Sequence, residues 1–393
     1  MDITFSFDEK QQEAIGSVAE VCRKRGIRGY IVGGAVRDAL LKIKPRDIDM
    51  CFEEDPGNII PELGLQDYVY HEAFSTAAVR FKNGVEMDLI RCRKEVYERN
   101  GALPAIIPSD IKDDLGRRDF TVNALAFDVV EGRVIDPFGG ADDIFAKRIK
   151  SVHADSYRED PTRIFRAVKY AARYGFEITE ADEIKRCIGE GVFGSISNER
   201  YFNEISSLCS ESSWIKALLC CGKLGIFDLD GRKLGLESIL ADYSDSNVRM
   251  LNLAFSLKDK SPAARMADNS IVPLELREAL KRHLQNDAGS QLALSRDNYE
   301  IHCVLKNSSR YDRVILSFDR RLTYKILNYE KNMGIRLGID GDYVKGAGVE
   351  EGRAVGKVLE HLMMLKLNLG LGCEKKYFDE NIGEILDVIK YKA

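Results

Sequence analysis

The chain has 393 residues, of which 45% are hydrophobic and 31% are charged, and its formal net charge is −5. This length leaves room for two or three domains of ~150 residues, and the mixed composition is typical of a globular protein rather than a disordered one. The slight acidic excess argues against a protein that binds nucleic acid over its whole surface. It leaves room for a local basic groove, such as the segment 301–336 with its eight lysines and arginines against three acids.

Three further classes are disfavoured by the sequence. No run of ~18 apolar residues predicts a transmembrane helix. The first residues lack the basic region and long apolar core of a signal peptide. The nine cysteines form no CxxC pair, which favours the reduced thiols of a cytoplasmic protein over a zinc site or a disulfide framework.

The first elements alternate between helix and strand. Apolar residues at helical spacing predict a helix over 9–25 that ends at Gly26, and an apolar run predicts a strand at 30–32. A glycine turn and a second helix follow, and the alternation at 48–52 predicts a second strand. The first 150 residues therefore begin as a mixed α/β domain.

The next elements extend this domain. Asn83-Gly84 between alternating runs at 77–81 and 85–90 is a strong hairpin signal. Residues 94–112 contain one glycine and two prolines and predict a loop. Strand or helix–strand material follows at 122–130 and 133–136.

The chain changes character near residue 150. After Pro161 most of the sequence shows helical spacing with short glycine breaks. Weaker breaks near 215–235 and 285–298 divide this helical part. We therefore expect four segments, at 1–150, 151–215, 216–295 and 296–393.

Two glycines precede the second helix in the run GGAVRD at 33–38. Glycines between a strand and a helix let the backbone approach an anion, and the helix N-terminus adds free N–H groups and the positive end of its dipole. Such turns are also common in proteins that bind no phosphate. The turn alone therefore leaves both interpretations open.

Three carboxylates follow at positions that a sheet can bring together. Asp47 and Asp49 are two residues apart, so we expect their side chains on one face of a strand, ~6–7 Å apart. The flanking apolar residues indicate a core strand, where an unpartnered carboxylate is costly. Asp88 lies on the hairpin, where it shares a face with Glu86. Three such carboxylates can hold two Mg²⁺ ions and activate a hydroxyl, although each acid taken alone could be a solvated surface charge.

Together these motifs resemble the catalytic core of the polymerase-β-like nucleotidyltransferases. Four later runs narrow the resemblance: RRDFTVNAL at 117–125, DPFGG at 136–140, REDPTRIFRA at 158–167, and Glu199-Arg200 with Glu204. They resemble the motifs of bacterial CCA-adding enzymes and their poly(A) polymerase relatives. The chain is similar to this class II tRNA nucleotidyltransferase family, densely over 30–205 and weakly beyond.

The resemblance implies a fold and a role for each of its segments. The fold class is α+β, with a polymerase-β-like nucleotidyltransferase head at 1–150, built of a mixed sheet with helices, followed by an all-α neck, body and tail. The neck at 151–215 would carry the helix that reads the nucleotide base. The tail at 296–393 would bind tRNA.

The resemblance also implies roles for the matched residues. Asp47, Asp49 and Asp88 would be the catalytic carboxylates and the ligands of Mg²⁺. Contacts with the triphosphate and other phosphates are implied for Gly33, Gly34, Arg37, Arg118 and Arg166, a place near the ribose for Asp119 and Asn123, and base reading for Asp160 and Arg163. Lys169 stands where the family often has an arginine, and lysine keeps the charge but loses the bidentate fork.

The run at 158–167 also carries a physical argument of its own. Asp160, Arg163 and Arg166 recur at i, i+3 and i+6, so we expect them on one face of a helix. A carboxylate accepts and a guanidinium donates, and cytosine and adenine both present an amino donor beside a ring-nitrogen acceptor. One Asp–Arg pair can thus accept C and A and reject G and U, whose ring N–H leaves buried groups unpaired. A simple surface salt bridge between the two is the alternative.

We therefore expect a cytoplasmic enzyme that adds C, C and A to the 3′ end of tRNA from CTP and ATP, with Mg²⁺, releasing pyrophosphate. Two alternatives in the same class use ATP only: an A-adding tRNA nucleotidyltransferase and a poly(A) polymerase. A noncatalytic nucleotide- or RNA-binding protein is the alternative of another class. The resemblance links a full-length segment 94–112 to A addition, since enzymes that add only CC tend to have it shortened or altered. The absence of GxGxxG disfavours a dinucleotide-binding enzyme.

Overall fold

A mixed sheet organises the N-terminal part of the chain. The computed structural model describes residues 3–102, 104–285 and 287–391, and the chain divides into two compact units, Met1–Phe227 and Asp228–Ala393. The sheet of the first unit is built from β1 (Gly29–Val32), β2 (Asp49–Phe52), β3 (Asp67–His71), β4 (Thr76–Arg80), β5 (Glu86–Arg91), β8 (Ala126–Asp128) and β9 (Arg133–Ile135). Within the described residues its strand order is β3-β4-β5-β2-β1-β8-β9.

The sheet has one parallel pair at its centre. β2 pairs in parallel with β5, and the other neighbouring strands run antiparallel. The predicted strands at 30–32 and 48–52 and the hairpin around Asn83-Gly84 are confirmed to within a residue or two. Gly84 has a φ of +87°, a value that its place in the turn requires and that glycine adopts without strain.

The helices of the first unit flank this sheet and continue beyond it. Helix α1 begins at a capping box formed by Asp8 and Gln11 and ends at Gly26, whose left-handed backbone closes it as predicted. The helices are α1 (Glu9–Arg25), α2 (Gly34–Leu40), α3 (Ile111–Gly116), α4 (Gly140–Phe145), α5 (Ser156–Glu159), α6 (Thr162–Tyr174), α7 (Ala181–Gly189), α8 (Asn198–Ser210) and α9 (Trp214–Leu224).

The prediction of a loop over 94–112 is wrong. This segment contains a second hairpin, β6 (Arg93–Val96) with β7 (Ala105–Pro108), followed by the start of α3. Pro104 precedes β7, and Pro108 is its last residue. A two-stranded ribbon tolerates proline at such edge positions because their N–H groups need no partner, so the prolines are compatible with a hairpin.

A small β element also interrupts the segment predicted as all-helical. The two-residue strands β10 (Arg148–Ile149) and β11 (Glu177–Ile178) pair in parallel. They bring the end of the head segment beside the residues that follow α6. The helix-rich character of the chain after residue 150 is nevertheless confirmed.

The second unit is helical in its described part. Its helices are α10 (Ser246–Ser256), α11 (Ser261–Ala267), α12 (Leu274–Gln285), α13 (Asp287–Leu294), α14 (Asn298–Leu305), α15 (Arg310–Ser317), α16 (Thr323–Asn332), α17 (Gly341–Gly346), α18 (Arg353–Leu369) and α19 (Glu374–Tyr391). In the basic segment 301–336, Arg313 pairs with Glu330 and Arg321 pairs with Asp319, so part of the positive charge is offset. No helix in the described ranges is both long and apolar enough to cross a bilayer. The four-segment division stays a prediction.

Candidate active site

Two of the three aspartates face each other across the parallel strand pair. Asp49 opens β2 and Asp88 lies on β5, and the register places them directly opposite. Asp47 lies just before β2, where the Asp88 N–H donates to the carbonyl of Ile48 at 3.1 Å and so extends the pairing. Ile48 points into the core, whereas Asp47 and Asp49 line the open side.

The carboxylates repel one another. Burial raises the pKa of Asp49, the Asp88 carboxylate raises it further, and Arg118 acts in the opposite direction. Burial and then the Asp47 carboxylate raise the pKa of Asp88. Negative charge is therefore concentrated at this point beyond what the protein's own cations compensate, as expected of a site that receives a cation.

The donor set fits a hard divalent cation. Carboxylate oxygens are the ligands that Mg²⁺ prefers. No group of three or more His, Cys, Asp or Glu side chains in the described ranges forms a ready-made metal cage. This arrangement suits Mg²⁺, which usually binds through one or two carboxylates together with water and the phosphates of a substrate.

Two cavities meet at these carboxylates. One of about 510 Å³ and one of about 800 Å³ are both lined by Arg46, Asp47 and Asp49, and Asp88 lines the larger one. The smaller cavity, called the nucleotide cavity below, brings together most of the residues implied by the resemblance: Gly34, Arg37, Arg118, Asp119, Asn123, Asp160, Arg163 and Arg166. Gly33 and Lys169 are not among its lining residues.

Gly33 makes room for an arginine rather than lining the cavity. Its φ is +64°, and a Cβ built on it would lie 2.4 Å from Nη1 of Arg118. A side chain at position 33 would therefore push the Arg118 guanidinium away. The glycine turn thus shapes the site through Arg118.

Arg118 is held by a buried carboxylate. Asp114 is fully buried and pairs with Arg117 at 2.8 Å and with Arg118 at 3.0 Å. Burial acts to raise the pKa of Asp114, but Arg118 and Arg117 outweigh it and hold the pKa below its usual value. Asp114 therefore stays charged and fixes both arginines beside the cavity.

A relay of buried hydrogen bonds forms the back wall of the cavity. Arg37 donates from Nη1 to Asn123 Oδ1, and Asn123 Nδ2 donates to Asp119 Oδ1 at 3.0 Å. Arg166 Nε donates to Asp119 Oδ2 at 2.6 Å. The relay joins α2, the turn at Thr121–Asn123 and α6. Both ends of the Asn123 amide contact protein groups, so Asn123 and Asp119 orient two arginines.

The expectation that Asp160, Arg163 and Arg166 share one helix is wrong for Asp160. Pro161 follows it and disfavours helical backbone at position 160, so α6 begins only at Thr162. Asp160 Oδ1 instead accepts from the N–H and the hydroxyl of Thr162 at 3.1 and 2.7 Å. The carboxylate thus lies at the N-terminal end of α6 and still lines the cavity.

Asp160 and Arg163 each contact other groups. Arg200 Nη2 donates to Asp160 Oδ1 at 2.7 Å and its Nη1 donates to the carbonyl of Gly101 at 2.9 Å, at the tip of the β6–β7 hairpin. Arg163 is only 5% exposed and donates to neutral acceptors: the Ser156 hydroxyl, the Arg117 carbonyl and, at 3.4 Å, the Tyr97 hydroxyl. Arg163 Nη1 also lies 3.3 Å from Nε2 of His153. Among the described residues no carboxylate forms an ion pair with the buried Arg163, which favours a ligand acceptor at this end of the cavity.

Lys169 faces α8. Its ammonium donates to the Ser207 hydroxyl at 3.1 Å, and burial followed by the nearby Arg166 lowers its pKa. Glu204, which lines the cavity from α8, has a pKa raised by burial. The side chain at position 169 thus lies between α6 and α8.

Two tyrosines of α6 were missed by the sequence reasoning. Tyr170 and Tyr174 line the cavity, and their rings lie over the Arg37 guanidinium, with Cζ 5.4 and 4.7 Å from the respective ring centres. They follow Arg166 by four and eight residues, so helical periodicity could have placed them on its face. Arg200 belongs to a run that carries the resemblance, but its contacts with Asp160 and Gly101, 40 and 99 positions away, have no local signal.

Comparison with known proteins agrees with this architecture. Residues 29–150 match the family of the poly A polymerase head domain. An A-adding tRNA nucleotidyltransferase of Geobacter sulfurreducens is 37% identical over 50% of this chain and 23% of its own length, and one of Aquifex aeolicus is 29% identical over 86% and 44%. A CC-adding tRNA nucleotidyltransferase of Deinococcus radiodurans and a CCA-adding enzyme of Geobacillus are 34% and 33% identical over about half of both chains. The chain thus spans at most about half the length of these relatives.

Solved structures extend the likeness over nearly the whole chain. A tRNA-processing enzyme in an apo form is 26% identical with a TM-score of 0.67, covering 93% of this chain and 99% of its own. A CCA-adding enzyme in an apo form has a TM-score of 0.76 at 23% identity, covering 98% and 97%. Structures of this fold include CCA-adding enzymes with ATP and with CTP. Residues 29–150 therefore match the poly A polymerase head domain, within a chain that has the fold of the CCA-adding enzymes, which confirms the resemblance recognised in the sequence.

Proposed function

We propose that the chain is a template-independent tRNA nucleotidyltransferase that adds C, C and A to the 3′ end of tRNA from CTP and ATP and releases pyrophosphate. The observation that carries the proposal is the register of Asp49 against Asp88 at the junction of two cavities. The head-domain match and the likeness to nucleotidyltransferases support it.

The chemistry would rest on positioning and charge. The 3′-hydroxyl of the acceptor attacks the α-phosphate of the nucleotide, the new phosphodiester bond forms, and the bond to pyrophosphate breaks. Divalent cations, Mg²⁺ in our proposal, held by Asp47, Asp49 and Asp88 would lower the pKa of the attacking hydroxyl and stabilise the leaving group. Asp88 lies in the larger cavity, where its carboxylate could accept the proton of that hydroxyl.

Arginines of the nucleotide cavity would hold the triphosphate. Arg118 is fixed by Asp114, and Arg37 by Asp38 and Asn123, so both cations are oriented before a ligand arrives. Preorganised cations stabilise developing negative charge without rearranging during the reaction. Arg166 is bound to Asp119 and would add positive charge next to them.

Asp160 and Arg163 would select the base at the far end of this cavity. Asp160 Oδ1 already accepts three hydrogen bonds, so Oδ2 is the oxygen we assign to the amino group of cytosine or adenine. Arg163 would donate to the adjacent ring nitrogen in place of one of its weak contacts, such as the 3.4 Å contact with Tyr97. Uracil and guanine present an N–H there and would leave the guanidinium facing a donor.

A-only addition is the second candidate within the class. The A-adding enzyme of Aquifex aeolicus matches 86% of this chain, and CC-adding and CCA-adding enzymes match about half of it at similar identity. An Asp–Arg pair that accepts both C and A does not separate these reactions. A poly(A) polymerase and a noncatalytic RNA-binding protein remain further outcomes of the test.

Single-nucleotide assays on defined tRNAs test the proposal. Purified protein is given tRNA without the terminal CCA, tRNA ending in one C, and tRNA ending in two Cs, each with labelled CTP or ATP. CCA addition predicts CTP incorporation into the first two and ATP incorporation into the third. ATP incorporation into the third tRNA alone would assign A addition, and long A tails would assign a poly(A) polymerase. No incorporation with any pair, at any Mg²⁺ concentration, would refute the enzyme.

A further inference from the structure

We propose that Tyr174 is a positioning residue that fixes the Arg37 guanidinium for the triphosphate and thereby joins the triphosphate end of the nucleotide cavity to its base end. The inference rests on the proposed function. It concerns a residue that lies outside the motifs that carry the resemblance. It predicts one effect shared by all nucleotides.

Tyr174 contacts both members of an ion pair on α2. Its ring lies over the guanidinium of Arg37, with Cζ 4.7 Å from the ring centre. Its hydroxyl lies 3.2 Å from Oδ1 of Asp38, the carboxylate that accepts from Nε and Nη2 of Arg37. The Tyr174 ring therefore packs against the Arg37 cation, and the Tyr174 hydroxyl donates to the Asp38 carboxylate.

Hydrogen bonds already engage three of the five guanidinium N–H groups of Arg37. Asp38 takes the Nε edge, Asn123 takes Nη1, and both Arg37 and Asp38 are only 5% exposed. The aromatic face supplies the third direction of restraint. A cation–π contact is strongest where the cation is shielded from water, as it is here, so the ring fixes the plane in which the guanidinium presents its hydrogens.

The position of Tyr174 in α6 gives this contact its functional meaning. Tyr174 ends the helix, before the left-handed cap at Gly175, and Arg163 lies in the first turn, ~16 Å away at 1.5 Å per residue. Helix α6 thus carries the base-reading Arg163 at one end and, at the other, Tyr174, which restrains the phosphate-binding Arg37. The distance between the two ends of a bound nucleotide is thereby set by one helix.

Binding of a phosphate probe separates this role from base reading. Inorganic tripolyphosphate carries the triphosphate charge without a base, and its affinity is measured by calorimetry beside the KM values for CTP and ATP. Tyr174→Leu, which removes the ring and the hydroxyl, should weaken tripolyphosphate binding about tenfold and raise both KM values by the same factor. Tyr174→Phe keeps the ring and should lose only about two- to threefold.

Tyr343 supplies a matched control. Its hydroxyl contacts Asp379 and the Lys375 ammonium lies 4.8 Å from its ring centre, so it repeats the same contacts in the other unit. Tyr343→Leu should leave tripolyphosphate affinity unchanged. The CTP-over-UTP preference of Tyr174→Leu should also stay at its wild-type value, since Asp160 and Arg163 are intact.

The possible results distinguish the positioning role of Tyr174 from the proposed nucleotidyl transfer. If the wild-type protein transfers nucleotides and Tyr174→Leu binds tripolyphosphate as tightly as wild type, the positioning role is overturned while the enzyme stands. A change of base preference in a folded Tyr174→Leu would overturn it as well. If Tyr174→Phe loses as much tripolyphosphate affinity as Tyr174→Leu, the hydroxyl and not the ring positions Arg37. A wild-type protein that binds neither nucleotide nor tripolyphosphate would overturn both proposals.

Discussion

Asp49→Asn replaces one of the two facing carboxylates by a neutral amide of the same shape. We expect this variant to lose nucleotidyl transfer and yet to be more stable than wild type when divalent metal is removed. The pKa of Asp49 is raised by burial and by the Asp88 carboxylate against the opposing effect of Arg118, so the charged form of Asp49 destabilises the metal-free fold near neutral pH.

The size of the effect follows from the register. Neighbouring strands lie ~4.8 Å apart, and two unit charges at ~5 Å interact by ~3 kcal/mol at an effective dielectric constant of 20 and by ~1 kcal/mol in water. Asp88 is exposed, so solvent screening favours the smaller value. A gain of ~1 kcal/mol corresponds to a rise in Tm of roughly 2–4 °C for a unit of this size.

Thermal unfolding in EDTA between pH 5 and 8 measures the effect. As the pH falls towards its raised pKa, folded wild-type Asp49 takes up a proton more readily than the unfolded chain does, so wild type gains stability and the difference from the amide variant narrows. Added Mg²⁺ should raise the Tm of wild type, and it should raise the Tm of Asp49→Asn much less. Glu86→Gln, on the same face of β5 but paired with Arg80, is the control and should change little. An Asp49→Asn protein that is less stable than wild type in EDTA, or equally stabilised by Mg²⁺, would contradict the reasoning.

Three further predictions use other parts of the site. Gly33→Ala should reduce transfer at least about tenfold by displacing Arg118, whereas Gly139→Ala, with a similar φ but open space around it, should cost ~1–2 kcal/mol of stability and little activity; equal activities in the two variants would argue against the displacement. Asp160→Ala should lower the CTP-over-UTP ratio of kcat/KM roughly tenfold, and an unchanged ratio would remove Asp160 from base reading. Asp114→Ala should destabilise the fold by ~3–5 kcal/mol, since it leaves Arg118 without its carboxylate partner and Arg117 with Glu95 alone, and denaturant unfolding with less than ~1 kcal/mol of loss would contradict this.

Local signals were sufficient for the first strands of the sheet and for the acidic face. Period-two alternation and a turn dipeptide define β4 and β5, and a two-residue spacing placed Asp47 and Asp49 on the same side of the sheet. The opposition of Asp49 and Asp88 could not be derived, because it depends on β2 and β5 being parallel neighbours. Strand order is a property of the whole sheet.

The errors and omissions have identifiable physical causes. Pro161 carried a clear signal that Asp160 lies outside the helix, and the i+3 spacing to Arg163 obscured it. The β6–β7 hairpin was hidden because prolines at strand ends resemble loop signals. The pairing of Arg37 with Asn123, 86 positions apart, and the aromatic cover from Tyr174 arise from packing, which no local pattern encodes.

The tip of the β6–β7 hairpin is tied to α8 through a backbone atom. Arg200 contacts the carbonyl oxygen of Gly101, an atom that every amino acid carries, whereas a Cβ at position 101 would lie 2.5 Å from the Ser195 hydroxyl at a φ of +74°. Substitutions at neighbouring positions can therefore change side chains while this hydrogen bond persists, whereas position 101 is under steric selection. Homologous hairpins of varied composition should accordingly share a single small residue at this point.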